Sequence, residues 1–352
     1  GEKEKREADG LFSAGVVYDH CGMIRDAEDH YRRALSKNPK HLQAMNNLGV
    51  IAKNAGRVSE AQQQFEQVLK TDARSPASVT AYNNKAVLIY ERARQQGGGA
   101  GAYDEAISQL QRALAVDSES MFAYNMLATI FLQTAESDRS KLKLAELVTD
   151  NALKINPDYP QIYLTRGLIK LRAQNVSGAL AEFRKAVGLD PGLVDAQMNI
   201  AAISLSVRAY QQAEGAFQQV LKKEPNNLDA NIGMGVAVRG QKRYDEAETW
   251  YKKAGSLDPK NCAISYNMGI LYQDYKGGED NMKKAQDFFN KFSQCTGRDT
   301  DAVKDAKRRV KDIDDTFKAM EEQRKLEAEL KKMQELERQQ QGATPPPAEP
   351  AK

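Results

Sequence analysis

Apolar and small residues recur at spacings of three and four along most of this chain, and one short phrase keeps returning. Residues 26–39, DAEDHYRRALSKNP, place Ala27, Tyr31 and Ala34 on one face of a helix that stops at Pro39. Residues 178–191, GALAEFRKAVGLDP, give Ala179, Phe183 and Ala186 the same offsets, and residues 245–259, DEAETWYKKAGSLDP, do so with Ala247, Tyr251 and Ala254. Proline ends such a helix because it lacks a donor and clashes with the preceding turn. Pro157, Pro191, Pro225 and Pro259 are 34 residues apart each time, so the pattern predicts a repeated pair of antiparallel helices.

Two helices approach closely only where a small side chain faces the partner. Gly15 and Ala27 are placed for that contact in the first repeat, and the large residues fill the space between neighbouring repeats. With Leu11, Ala14, Gly15, Tyr18, Ala27, Tyr31, Ala34 and Pro39, the first repeat resembles the tetratricopeptide family. The resemblance covers residues 8–297 and continues through Leu48, Gly49, Ala61 and Phe65, through Ala86, Ala106 and Ala113, and through Tyr124, Ala128, Ala145 and Ala152. It resumes at Gly167 with the phrase ending at Pro191, then at Ala201, Ala213 and Phe217, at Gly235, and at Met268, Gly269, Tyr272, Ala285 and Phe289. The resemblance implies an all-α fold, a right-handed superhelix (α-solenoid) of about eight helix-turn-helix repeats with a long C-terminal helix. Residues 1–7 then read as an N-terminal extension, 298–341 as a capping and projecting helix, and 342–352 as a proline-rich, disordered tail.

Three repeats are longer than the period. Roughly eight extra residues surround RQQGGGAG, about five surround AESDRS and about four surround KGGEDN, and each is expected to protrude as a loop between the two helices of its pair. Ala73, Ser118 and Gly297 stand where the stop proline would be, and Thr149 replaces the usual aromatic. Irregular stacking is therefore expected in the third and fourth repeats. In the C-terminal helix Val303, Ala306, Val310, Ile313, Phe317 and Met320 form one apolar seam, suited to covering the exposed edge of the last repeat. Leu326, Leu330, Met333 and Leu336 form a second stripe on the part that projects.

Composition narrows the function classes. The chain has 352 residues, and its 51 Lys plus Arg nearly cancel 48 Asp plus Glu, so nothing in the charge points to nucleic acid. No apolar run approaches the roughly 18 residues needed to span a bilayer. The three histidines, His20, His30 and His41, lie near the start, and His20 adjoins Cys21, but adjacent ligands are poorly spaced and no metal or other cofactor is assigned. GGGAG at 97–101 lacks a following Gly-Lys-Ser/Thr and reads as a loop, not a phosphate cradle. Repeats occupy nearly the whole chain, so the expectation is a binding protein, not an enzyme.

Cys262 opens the first helix of the eighth pair and Cys295 closes its second, and antiparallel helices bring those ends together. A disulfide there would close a loop of about 32 residues, stabilise by roughly 3 kcal/mol and imply an oxidising compartment. Two buried free thiols are the alternative.

The resemblance further implies that the first helices of the pairs line a concave groove that receives protein or peptide segments. The matching apolar positions are Phe12, Val16, Val50, Val87, Tyr90, Phe122, Leu132, Leu164, Leu168, Leu171, Met198, Leu205, Ile232, Val236, Tyr266 and Ile270. Asn47, Asn84, Asn199 and Asn267 share one register position, and in some family members such a row clamps a peptide backbone. Local bonding is the other reading of that row. The lysine of chaperone-docking members is not visible, since Phe12 stands in its place. The implied function is a non-enzymatic scaffold. The charged start GEKEKREADG lacks a Met and reads as a trimmed end, and with the cysteine pair it suggests a bacterial periplasmic or outer-membrane protein anchored by a lipidated cysteine upstream. Its closest style is that of pilus, secretin or gliding-motility assembly factors. The alternatives are a cytosolic adaptor or assembly chaperone, or a substrate-selecting subunit of an enzyme complex.

Overall fold

The computed structural model describes residues 1–99, 101–136, 138–295 and 300–342, the last three of these by backbone alone. The proline-rich end beyond Gly342, and the position of Gly297, lie outside the described residues. Among the described residues every regular element is helical, and no helix is long and apolar enough to cross a membrane. The chain divides into two compact units, one of residues 1–196 and one from Gln197 onward.

In the first unit the helices pair in order: α1 (Glu2–His20) with α2 (Ile24–Lys37), and α3 (Leu42–Asn54) with α4 (Val58–Thr71). Then α5 (Pro76–Gln95) pairs with α6 (Asp104–Val116), α7 (Met121–Thr134) with α8 (Ser140–Ile155), and α9 (Pro160–Arg172) with α10 (Val176–Leu189). Helix α11 (Val194–Ser206) spans the division between the units. The second unit continues with α12 (Tyr210–Lys223), then α13 (Leu228–Gly240) against α14 (Tyr244–Leu257). It ends with α15 (Cys262–Ile270), a π-helical turn (Leu271–Lys276), α16 (Glu279–Cys295) and α17 (Asp301–Gly342).

The repeated phrase accounts for the pairing. Ala27, Tyr31 and Ala34 are fully buried on α2, as are Ala179, Phe183 and Ala186 on α10 and Ala247, Tyr251 and Ala254 on α14. Burying each ring contributes about 1.5–3 kcal/mol of transfer free energy. The first helices also lie side by side, α3 on α5, α5 on α7 and α7 on α9, so each pair covers the apolar face of the next.

The turn within a pair is set by one left-handed residue. Gly22, Gly56, Gln174, Arg208 and Lys242 hold the same register position with φ between 59° and 75°. After each, the next amide reaches back to close the helix, as Arg57 N does to Ala52 O at 2.8 Å and Asn175 N to Lys170 O at 2.8 Å.

The turn between pairs depends on an Asn or Asp as much as on proline. Asn38, Asp72, Asp117, Asn156, Asp190 and Asp258 each accept, on Oδ1, the amide two residues on at 2.9–3.1 Å. Asp72 and Asp117 do so where Ala73 and Ser118 replace proline, which is why those second helices still stop on register.

Residues 2–7, ahead of the first repeat, are helical and form the first turns of α1. Two expectations change. The third repeat absorbs much of its insertion by lengthening α5 to 20 residues, against 13 in α3, because helix satisfies backbone groups that a loop would leave to water. The eighth repeat absorbs its insertion in the π-helical turn, an i→i+5 widening of the first helix, before Gly277 and Gly278 turn the chain. Thr149 is accommodated without distortion of α8: it is fully buried, and its hydroxyl donates to Glu146 O at 2.8 Å.

Helix α17 closes the second unit. Val303, Ala306 and Ile313 are buried against α16, and Val310, Phe317 and Met320 are half-buried. Arg309 binds Asp305 and Asp274, and Arg324 reaches Glu279 at 2.6 Å. Beyond Met320 the described side chains are exposed, including Leu326, Leu330, Met333 and Leu336.

Candidate docking groove

In the first unit the expected groove residues fall on the first helices and are mostly half-buried: Phe12 and Val16 on α1, Val50 on α3, Val87 and Tyr90 on α5, and Leu164 and Leu168 on α9. Phe122 on α7 is 42% exposed. Phe12 does not stand clear as an anchor, because its ring packs on Tyr31 at 5.7 Å and on His41 at 4.8 Å. Tyr90 likewise leans on Tyr103 at 5.5 Å. His41 is an N-cap, accepting the amide of Ala44 at 3.2 Å, and among the described residues no group of His, Cys, Asp and Glu is arranged to hold a metal.

The structure brings Leu132, Leu168 and Leu171 together. With Thr129, Gln133, Arg172 and Gln174 they line a cavity of about 530 Å³ between α7 and α9. Arg172 and Gln174 also line a neighbouring cavity of about 750 Å³ with Glu136, Arg139, Leu142 and Lys143. Arg172 is held at this junction by Glu136 at 2.9 Å. The wall is therefore aliphatic, with a guanidinium and two carboxamides at its edge. Such a surface takes apolar side chains and bonds the polar backbone that carries them.

The asparagine row does not act as one set. Asn47 donates to the Tyr31 hydroxyl at 3.0 Å, and Asn267 donates to Ala263 O at 2.9 Å, so both carboxamides are bonded within the protein. Asn84 and Asn199 are half-buried, as are Met198 and Ile232. A second row, one position earlier, has a structural task that the sequence reading missed. Asn46 donates to Ala77 O at 2.8 Å, Asn83 to Ser120 Oγ at 3.4 Å, and Asn125 accepts from the Thr165 hydroxyl at 2.7 Å. Each links its own first helix to the next. Their shared offset, three residues before Gly49, Ala86 and Ala128, was the available signal.

Tyr266 is withdrawn from the groove. Its hydroxyl donates to Asp305 of α17 at 2.8 Å, and its ring packs on Phe292 at 4.9 Å. Burial first, and the adjacent Asp305 carboxylate second, push this phenol above its usual range. The chain's own last helix thus occupies this part of the eighth pair. Nearby, Cys262 and Cys295 form a disulfide, with Cα atoms 5.7 Å apart, and Cys21 is free and exposed.

Comparison with known proteins agrees with this geometry. One tetratricopeptide repeat profile matches residues 22–81 and 204–268, and a second matches 52–115 and 125–194. The chain belongs to the tetratricopeptide repeat family. The fold is accordingly the family's all-α solenoid of helical pairs, and the coarse function is that of a repeat scaffold for protein–protein contact.

Among characterised relatives, this tetratricopeptide chain is 22% identical over 215 residues to the human protein O-mannosyl-transferase TMTC3, covering 60% of this chain and 22% of that protein. It is 24% identical over 160 residues to anaphase-promoting complex subunit 3 of Schizosaccharomyces pombe, covering 46% and 22%. The chain thus spans about a fifth of the length of the curated relatives it matches. Among solved structures it is similar to the type IV pilus biogenesis factor PilW (19% identity, 62% of this chain, 94% of that chain, TM-score 0.48). It is also similar to pilF of Pseudomonas aeruginosa (17%, 74% and 96%, 0.45) and to a Thermus thermophilus tetratricopeptide protein (21%, 56% and 98%, 0.46). These are likenesses of fold.

Proposed function

We propose that this chain is a non-enzymatic scaffold that captures a segment of a partner protein on the first-helix face of its first unit. The observation that carries this reading is the cavity between α7 and α9, where Leu132, Leu168 and Leu171 are left half-buried beside Arg172 and Gln174. Repetition supplies area: several neighbouring first helices together offer the roughly 800 Å² per partner that a specific interface needs, which one helical pair does not. Phe122, Leu164, Val87 and Val50 extend the apolar strip along that face.

The finer reading is assembly of a bacterial cell-envelope machine such as a pilus, a secretin or a gliding apparatus. It rests on the disulfide between Cys262 and Cys295, since such bonds persist in oxidising compartments and not among reduced cytosolic thiols.

Recovery of partners from native membranes by the tagged protein tests the groove. The double variant Leu164→Asp, Leu168→Asp places two charges on the strip, and because Leu164 also packs on the cluster of Tyr163, Ala186 and Ala196, the single variant Leu168→Asp is tested beside it; both are expected to lose the partner, the single variant with its helical circular dichroism and melting temperature unchanged. Unchanged recovery would remove the groove reading.

A further inference from the structure

One position breaks the rule by which neighbouring pairs fill the space between them. Directly after the last small or branched residue of the repeated phrase, the second helices carry Leu35, Leu69, Leu114, Leu153, Val187 and Leu221. Those side chains sit between pairs: Leu35 packs with the clusters of both its own and the following pair, and Leu69 packs into the cluster built around Tyr82 and Leu110. In the seventh pair the same position is Gly255. A Cβ added there meets nothing within 4 Å.

Gly255 lines a cavity of about 450 Å³ between α14 and α16, whose apolar wall includes Ile264, Met268 and Phe288. Its rim is basic. Lys284 lies 5.3 Å over the ring of Tyr272 and Lys291 5.3 Å over the ring of Phe288, and neither has a carboxylate partner among the described residues. Lys252, also on the rim, is occupied by Glu248 at 2.7 Å, and Asp287 is the one carboxylate in the lining. Lys284 and Lys291 are two helical turns apart, about 10.5 Å along the axis. A single carboxylate cannot serve both, whereas acidic residues four apart on an extended chain, about 13 Å and on one face with the residue midway between them, can, the flexible lysine stems closing the difference.

We propose that this cavity docks an acidic, extended segment of a partner protein, which inserts one bulky apolar side chain where the six preceding pairs supply their own leucine or valine. Lys284 and Lys291 pair with carboxylates on either side of that anchor. The site is on the second-helix side of the second unit and is independent of the groove proposed above.

The test uses a displayed library of Asp-X-X-X-Asp heptapeptides with X randomised, panned against the full chain. Enriched sequences should carry Leu, Ile, Phe or Trp at the central X. They should bind Gly255→Leu at least tenfold more weakly than the native chain, and Lys284→Glu, Lys291→Glu at least tenfold more weakly as well. Gly255→Leu should melt no lower than the native protein, because it supplies the side chain that five of the six preceding pairs use. Decanoate, tested in parallel, should not compete. No enrichment, enriched peptides that bind Gly255→Leu undiminished, or displacement by decanoate alone with the same loss in Gly255→Leu would each overturn the proposal.

Discussion

A Cβ placed on Gly167 would lie 2.3 Å from Cε1 of Phe183, so the ninth and tenth helices meet across a gap that only a hydrogen fits. The same relation joins Gly15 to Tyr31, Gly49 to Phe65, Gly235 to Tyr251 and Gly269 to Phe289. In the sixth pair Ala201 stands at the small position, and Phe217 instead packs where a Cβ on Gly233 of the following pair would lie 2.1 Å away. The closeness of the pair is thus bought with glycine where the facing residue is a ring.

Gly167→Ala should therefore destabilise the protein although alanine favours helix. The propensity gain is about 1 kcal/mol, but overpacking a fitted ring costs about 1–3 kcal/mol, leaving a net loss on the order of 1 kcal/mol. Urea denaturation should show a lower midpoint at unchanged slope, and the loss should shrink when Phe183→Leu is combined with it.

The left-handed turn offers the opposite sign. Lys242 has φ 65° at the position where Gly22 and Gly56 do the same work. Lys242→Gly relieves about 1–2 kcal/mol of left-handed strain and gives back about 0.5–1 kcal/mol in chain entropy. A gain of roughly 0.5 kcal/mol in thermal or urea unfolding is expected, and Gly56→Ala should lose stability.

Much of this was legible in the sequence because the family phrase is mechanical: small against ring, then a stop. Ala27, Tyr31 and Ala34 announced their burial by spacing alone. The insertions were not legible, since RQQGGGAG and KGGEDN fix a length and not whether helix or loop absorbs it. Nor was the fate of Tyr266, because its partner Asp305 is 39 residues away on a helix whose docking angle no local pattern sets. The asparagines at 46, 83 and 125 were passed over in favour of the row beside them, and only the donor geometry separates the two.

Acid should weaken the second unit through Glu248. Burial alone would raise this carboxyl, but hydrogen bonds from Lys252, Lys276 and Tyr272 outweigh it and hold the pKa at about 2, against the ordinary 4.5. A depressed carboxylate contributes fully above 4.5 and loses its contribution as pH falls toward 2. The native chain should lose up to about 3 kcal/mol more than Glu248→Gln across that window, measured by urea unfolding at successive pH values.

Reduction should loosen the last pair. The Cys262–Cys295 bond closes a 33-residue separation, and the chain-entropy model gives it about 3–4 kcal/mol. Cys295→Ala, or native protein in reductant, should show faster amide exchange in α15 and α16 while α1 to α4 exchange as before.

The central claim is that partners bind on the first-helix face of the first unit. A photo-crosslinking phenylalanine analogue placed at Leu168 reports on that face, and the same analogue at Leu147, 55% exposed on α8, reports on a second helix. Irradiation in the native host is expected to give a discrete partner adduct from position 168 and none from position 147. Adducts from 147 alone, or from neither, would contradict the account.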